Sequence, residues 1–142
     1  MRRSAEAGDA GNAALELVIL APVLLILIGL IIAAGRTTVA QGSLDAAARD
    51  AARQASIARS PAAALQAAQL SAQAALNQDG LDCTPLVTVA TGGFSAPLGQ
   101  PAAVSATVTC TVPLADLLVP GMPGSKLLSA SFTSPLDPYR GR

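Results

Sequence analysis

The sequence has no histidine and no tryptophan, and its only aromatic residues are Phe94, Phe132 and Tyr139. Without histidine, the chain cannot form the Ser/His or Cys/His pairs in which a base activates a nucleophile. So few aromatic side chains allow only a modest apolar core outside any membrane, which is poorly suited to enclosing a deep pocket. We therefore expect no enzyme, no cofactor and no small-molecule substrate.

Charge is also scarce and balanced, with nine Lys and Arg against nine Asp and Glu. A nucleic-acid-binding protein would show a basic stripe, so we expect no nucleic acid among the partners. The chain has only two cysteines, Cys83 and Cys110. Two cysteines without histidine do not make a metal site.

One long apolar run stands out against this background. It covers 22 residues, from Ala13 to Ala34, and contains Glu16 as its only charge. As a helix it would be about 33 Å long, enough to cross a hydrocarbon core of about 30 Å. Because the run has no polar face, it predicts a transmembrane helix over residues 12–35 rather than a helix of a water-soluble domain.

The orientation of this span follows from the charges beside it. Arg2 and Arg3 favour a cytoplasmic N-terminus, which would place the rest of the chain outside the cytoplasm. The preference is small, because Arg36 and further arginines follow the span. A secretory signal peptide cut near Ala33-Ala34-Gly35 is the alternative, although its apolar core would be unusually long.

Glu16 can be explained in two ways. It lies in the first turn of the apolar helix, where the helix dipole favours an acid and lipid headgroups are close. Its spacing also resembles the type IV prepilin processing site, in which the chain is cut after a glycine and glutamate is the fifth residue of the mature protein. Here the glycine is Gly11, and the cut would create a new amine at Asn12, one helical turn from Glu16.

The wider pattern resembles the TadE-like pseudopilins of the tight-adherence (Tad) pilus systems. It comprises GNAALELVILAPVLLILIGLIIAAGR and the following QGSLDAAARDAARQAS, with Pro22 and Leu24 at the family's positions, and covers about residues 11–58. The resemblance implies a minor pilin-like subunit that is cut by a prepilin peptidase and assembles with other pilin-like subunits and the Tad inner-membrane platform. It also allows methylation of Asn12. The alternative is an unprocessed single-pass protein with a small scaffold or partner-binding domain.

Pro22 lies inside the predicted span. It has no N–H and its ring collides with the carbonyl four residues earlier, so we expect a kink at this position. A membrane helix tolerates such a defect when neighbouring helices pack around it.

Residues 36–80 predict a helical stalk with a break near Pro61. Ser60-Pro61 is a helix-start signal and Gly80 a suitable C-terminal cap. Asp45 and Arg49 have the spacing of an ion pair within a helix. Apolar residues recur every three or four positions along both helical segments: Leu44, Ala47, Ala48, Ala51, Ala55 and Ala58 in the first, and Leu65, Ala68, Ala72, Ala75 and Leu76 in the second. The small residues of the first segment allow close packing against a partner helix or a sheet. Because alanine is also the best helix former, a simple stalk is the alternative.

The second half predicts a small β-rich domain over residues 81–134, followed by a tail at 135–142. Strands are expected at 86–90, 104–112 and 127–133, with one helical turn at 114–119. The inward residues are expected to be Val104, Ala106, Val108, Cys110 and Val112 in the second strand, and Leu128, Ala130 and Phe132 in the third. The fold class is therefore α+β, with a three-stranded antiparallel sheet covered on one face by helices.

Cys83 and Cys110 both fall in this half of the chain. If it lies outside the cytoplasm, they are expected to form a disulfide that ties the start of the first strand to the middle of the second. Free buried thiols are the alternative.

Overall fold

The computed structural model describes residues 7–117, 121 and 123–139, with side chains from residue 15 onward. Two long helices, α1 (Ala7–Ile57) and α2 (Pro61–Gln78), precede strand β1 (Leu86–Ala90). A 3-10 turn (Gly92–Ser95) leads to β2 (Ala102–Pro113), and the short helix α3 (Leu114–Leu117) precedes β3 (Ser125–Leu136). The predicted α+β fold, with a long apolar N-terminal helix and a three-stranded antiparallel sheet, is confirmed.

Helix α1 has two parts with different surroundings. From Leu15 to Ile32 its side chains are exposed all round, whereas from Ala33 onward one side of the helix is buried. That side consists mainly of alanine, as its spacing predicts, and Leu44 is fully buried within it. The helix therefore extends out of a compact C-terminal unit, which we call the head and define as residues 33–139.

Helix α2 begins and ends at the predicted signals. The Ser60 hydroxyl accepts a hydrogen bond from the Ala63 N–H at 3.2 Å, with Pro61 as the first helical residue. Gly80, just past the C-terminus, has a φ of 72°, a conformation that costs glycine little. The buried side repeats every four residues, through Ala64, Ala68, Ala72 and Leu76.

Leu65 was expected on this buried side but is 39% exposed. Ala64 takes the place instead and is fully buried. The two helices pack against each other through small residues, so the buried stripe of α2 is narrow and the bulkier leucine lies beside it.

The sheet has the strand order β1-β2-β3, with both pairs antiparallel. Strands β2 and β3 pair along their whole length, from Ala102 opposite Leu136 to Pro113 opposite Ser125. Both strands are longer than predicted. The residues at their ends have a weak preference for strand, but the pairing between β2 and β3 keeps them in the sheet. As a result, Pro135 and Leu136 belong to β3 rather than to the tail.

One face of the sheet packs on α1 and α2, and the other is exposed. On the inner face, the predicted alternation holds in β2 for Val104, Ala106, Val108, Cys110 and Val112. On the outer face, hydroxyl groups pair across β2 and β3, such as Ser105 with Thr133 at 2.6 Å and Thr107 with Ser131 at 3.1 Å. Such cross-strand pairs stabilise a sheet whose outer face contacts water.

Phe132 lies on the inner side of β3 by alternation, but it is 39% exposed and not buried as predicted. Strand β3 is at the edge of the sheet, so a side chain in its middle is only partly covered by α1. The Arg49 guanidinium of α1 lies 5.9 Å from the centre of the Phe132 ring. This is a cation–π arrangement, worth about 0.5–1 kcal/mol at an exposed site.

Candidate assembly site on the N-terminal helix

Glu16 lies on the exposed, apolar half of α1. Leu15 and Leu17 beside it are 64% and 66% exposed, and Glu16 is exposed as well. Of the described helices, α1 contains the one stretch long and apolar enough to cross a membrane, judged by length and composition. Glu16 is therefore the one acid on a surface otherwise suited to lipid or to other apolar helices.

Gly11 and Asn12, the predicted processing site, lie on the same helix one to two turns before Glu16. Residues 12 and 16 are four apart, which puts them on one side of the helix about 6 Å apart along its axis. The helix already begins at Ala7, so Gly11 has helical rather than extended backbone. A peptidase that binds an extended substrate would have to unwind this first stretch, and glycine makes unwinding easier by about 1 kcal/mol relative to alanine.

Helix α1 is continuous through Pro22, which is exposed. Proline has no N–H to donate to the Val18 carbonyl, so one helical hydrogen bond is missing at this point. The kink at Pro22 stays a prediction.

The predicted disulfide between Cys83 and Cys110 is present, with 6.2 Å between the two Cα atoms. Cys110 is buried in β2, and Cys83 lies between α2 and β1. The bridge joins the segment before β1 to the sheet interior at a separation of 27 residues. It stabilises the head by closing a loop of the chain.

The spacing of Asp45 and Arg49 predicts an ion pair within α1. Arg49 instead lies over Phe132 and forms no ion pair with Asp45. The reason is tertiary, since the aromatic ring belongs to a strand more than 80 residues away in the sequence. Helical spacing alone could not reveal this contact.

Three carboxylates that seemed unrelated in the sequence come together in the fold. Asp79, Asp82 and Asp116 line one open recess, which Arg36 of α1 also borders. All four side chains are exposed. Among the described residues, no cluster of His, Cys, Asp and Glu is suited to hold a metal ion. The group is therefore a charged surface between α1 and α3 and gives no indication of catalysis.

Two further contacts between α1 and β3 were not foreseen. Gln41 of α1 donates a hydrogen bond from Nε2 to the Ser129 carbonyl of β3 at 3.1 Å. Next to it, Lys126 and Leu127 line an open recess with Thr37 and Thr38. No sequence signal indicated these contacts, because they depend on which strand lies beside α1.

Comparison with known protein families gives a match to part of the chain. The model of the family described as TadE-like protein matches residues 11–53, a segment that includes Gly11, Glu16 and Pro22. No curated protein and no solved structure matches the chain.

This family supports a Tad-pilus-related, pilin-like role in general, and it is a structural, non-enzymatic family. It also implies an association with the membrane and with pilin partners. The resemblance to the TadE-like proteins that the sequence predicts is thus confirmed over residues 11–53.

Proposed function

We propose that this protein is a pilin-like structural or assembly subunit of a Tad-type pilus. In this proposal a prepilin peptidase cuts it after Gly11, and it assembles through α1. The N-terminus lies in the cytoplasm before the cut, and the head lies outside. The partners are the peptidase, other pilin-like subunits and the Tad inner-membrane platform.

The observation that carries the proposal is the position of Glu16. It is the only charge between Ala13 and Ala34, it is exposed, and it comes five residues after Gly11 within the TadE-like segment. A carboxylate in the middle of a bilayer costs about 2.5–3.5 kcal/mol on insertion scales, and less near the boundary. A new amine at Asn12 of a neighbouring subunit would offset this cost by pairing with the carboxylate.

The disulfide supports the orientation. Disulfides persist in oxidising compartments and are rare in the cytosol, so the Cys83–Cys110 bridge is in keeping with a head outside the cytoplasm. Arg2 and Arg3 before the span favour the same orientation.

A second candidate function is a single-pass membrane protein that is never processed and whose head serves as a scaffold. The helical backbone at Gly11 favours it, because an intact helix is a poor protease substrate. In that case Glu16 is only an acid near the helix N-terminus, where the helix dipole stabilises it.

Intact-mass measurement of the protein purified from the membrane fraction separates the two candidates. Loss of residues 1–11 supports the pilin-like subunit, and a full-length chain supports the unprocessed scaffold. Loss of about 34 residues would instead show removal of a signal peptide, and would contradict both.

The role of Glu16 has its own test. Glu16→Ala is expected to leave the chain in the membrane, since it removes a charge from an apolar helix, and to reduce pilus assembly strongly. Asp45→Ala, which removes an exposed acid of the head, is the control and should leave assembly unchanged. Normal piliation by Glu16→Ala would show that the carboxylate has no part in assembly.

A further inference from the structure

The end of the sheet nearest the apolar half of α1 carries two exposed leucines. Leu127 near the start of β3 is 66% exposed, and Leu86 at the start of β1 is 67% exposed. Both lie on the outer face, where Leu86 is opposite Thr109 and Leu127 is opposite Thr111. Leu127 is two residues, or about 7 Å, nearer the end of the sheet than Leu86, and two strand spacings of about 4.8 Å separate them laterally, so the leucines lie roughly 12 Å apart.

Leu127 lies beside the turn of α1 that follows Arg36 in the sequence. It shares a recess with Thr37 and Thr38, and Gln41 binds the Ser129 carbonyl two residues further along β3. Four helical residues and two strand residues each span about 6–7 Å. The hydrogen bond at Gln41 and the recess at Thr37 therefore both place Leu127 beside Thr37 and Thr38 of α1.

This position along α1 coincides with the edge of a bilayer that contains the helix. If Glu16 marks one boundary, a hydrocarbon core of about 30 Å ends about 20 helical residues later, close to Arg36. The headgroup layer beyond it is about 5–7 Å thick, which corresponds to the turn from Thr37 to Ala40. The head reaches this boundary, because Ala33 is only 7% exposed whereas Ile32 is 49% exposed.

We infer that the base of the head, which we define as Lys126 and Leu127, rests on the same lipid bilayer that α1 crosses. Leu127 lies among the outermost acyl carbons and headgroups, and the Lys126 ammonium reaches the phosphates beside it. A long cationic side chain next to an exposed apolar one suits this boundary, where one end is apolar and the other hydrated.

The contact is one-sided. Asp79, Asp82 and Asp116 border the recess that Arg36, Val39 and Ser43 line, on the other side of α1 from Thr38 and Leu127. Carboxylates are costly to bring into lipid, so this side stays in water. The β3 side faces the membrane, because the one carboxylate that lines its recess, Asp45, lies two helical turns beyond Thr38 and so outside the headgroup layer. The span and the base of the head together fix the orientation of the sheet relative to the bilayer. The inference rests on α1 crossing the membrane and does not depend on cleavage after Gly11.

The absence of tryptophan allows a direct test with the full chain. Leu127→Trp introduces a single tryptophan, whose fluorescence can be measured in phosphatidylcholine vesicles with and without bromine-labelled acyl chains. Leu70→Trp is the matched control, because Leu70 is 68% exposed but lies on α2 about 12 Å from its basal end. Leu25→Trp, inside the span, shows how strongly a tryptophan in the membrane is quenched.

Bromine is expected to quench Leu127→Trp at least about twofold more than Leu70→Trp, because only the former reaches the acyl boundary. Equal quenching of these two variants would overturn the inference. Leu127→Trp fluorescence that is blue-shifted but not quenched would also overturn it, because it would mean that protein rather than lipid covers this position. If Leu25→Trp is quenched and Leu127→Trp is not, the span is in the membrane and only this inference fails.

Ser125→Trp repeats the measurement at an exposed position two residues before Leu127, on the same face of β3. It decides the question if the Leu127→Trp chain does not form the Cys83–Cys110 disulfide and is therefore misfolded. Quenching of Ser125→Trp above that of Leu70→Trp supports the inference, and quenching no greater than that of Leu70→Trp contradicts it.

Discussion

At the scale of single residues, the head depends on small side chains at places where the chain comes very close to itself. Gly93, in the 3-10 turn between β1 and β2, is the clearest example. A Cβ atom at this position would collide with the Ala103 carbonyl oxygen and lie 2.9 Å from Leu136 Cδ1. The obstacle is partly backbone, which cannot move aside as a flexible side chain can.

Gly93→Ala is therefore expected to destabilise the head by about 1–3 kcal/mol, the usual cost of overpacking. Thermal unfolding of the purified full-length protein in detergent, followed by circular dichroism, measures the loss. Gly92→Ala is the control, because a Cβ atom there meets nothing within 4 Å. Equal melting temperatures for the two variants would show that the turn can shift to accommodate the methyl group.

Two residue-scale predictions were wrong for a common reason. Periodicity identifies which side of a helix or strand faces the core, but not how far the neighbouring element extends over it. Leu65 lies at the border of the buried stripe of α2, and Phe132 lies on an edge strand, so each is 39% exposed. The Arg49 contact with Phe132 depends on tertiary structure and could not be derived from spacing.

At the scale of elements, α1 and α2 pack through alanine. The buried residues of α2 include Ala64, Ala68 and Ala72, and those of α1 include Ala47, Ala51 and Ala55. Small residues bring helix axes close together, and close axes leave little room for a larger side chain. The alanine pattern was visible in the sequence, but alanine is also the best helix former, so the pattern alone did not distinguish a packed interface from a solvated stalk.

Ala68→Leu separates these two explanations. Ala68 is fully buried, so the larger side chain is expected to destabilise the protein by about 1–3 kcal/mol. Ala74→Leu makes the same change at an exposed position of the same helix, where the effect is expected to stay within about 0.5 kcal/mol. Chemical denaturation of both variants gives the comparison, and an unchanged stability of Ala68→Leu would mean that the interface is loose.

The elements themselves were largely predictable, and their ends were not. Strand β2 alternates so regularly that its inner face could be listed in advance. The ends of β2 and β3 extend further than local preference indicates, because each residue gains a partner across the ladder from Pro113–Ser125 to Ala102–Leu136. The proposed assembly residues Gly11, Asn12 and Glu16 come from the sequence pattern. The base of the head comes only from the fold.

At the scale of the whole molecule, the protein is a long apolar helix joined to a small α+β head. The largest fully buried side chains of the head are Leu44, Leu76, Val104, Val108 and Cys110, with no aromatic residue among them. A core of small side chains contributes little free energy of unfolding per residue, so the Cys83–Cys110 bridge supplies a large share of the stability of the head. Closing a loop of 27 residues stabilises by about 3–4 kcal/mol in the chain-entropy model.

A head that depends on a disulfide should be made where disulfides form, and this makes the orientation of the chain testable. Gln100→Cys adds a third, exposed cysteine in the connection between β1 and β2. A membrane-impermeant maleimide is expected to label this variant in intact spheroplasts, while the native pair stays unreactive until it is reduced. This expectation follows from the proposed orientation, in which the arginines before the span favour a cytoplasmic N-terminus and the head lies outside. A cytoplasmic thiol protein of the same cells, labelled only after lysis, controls for leakage. Labelling of Gln100→Cys only after lysis would place the head in the cytoplasm and contradict the proposed orientation. The disulfide would then be exposed to reduction, and the head could not assemble with other subunits outside the membrane.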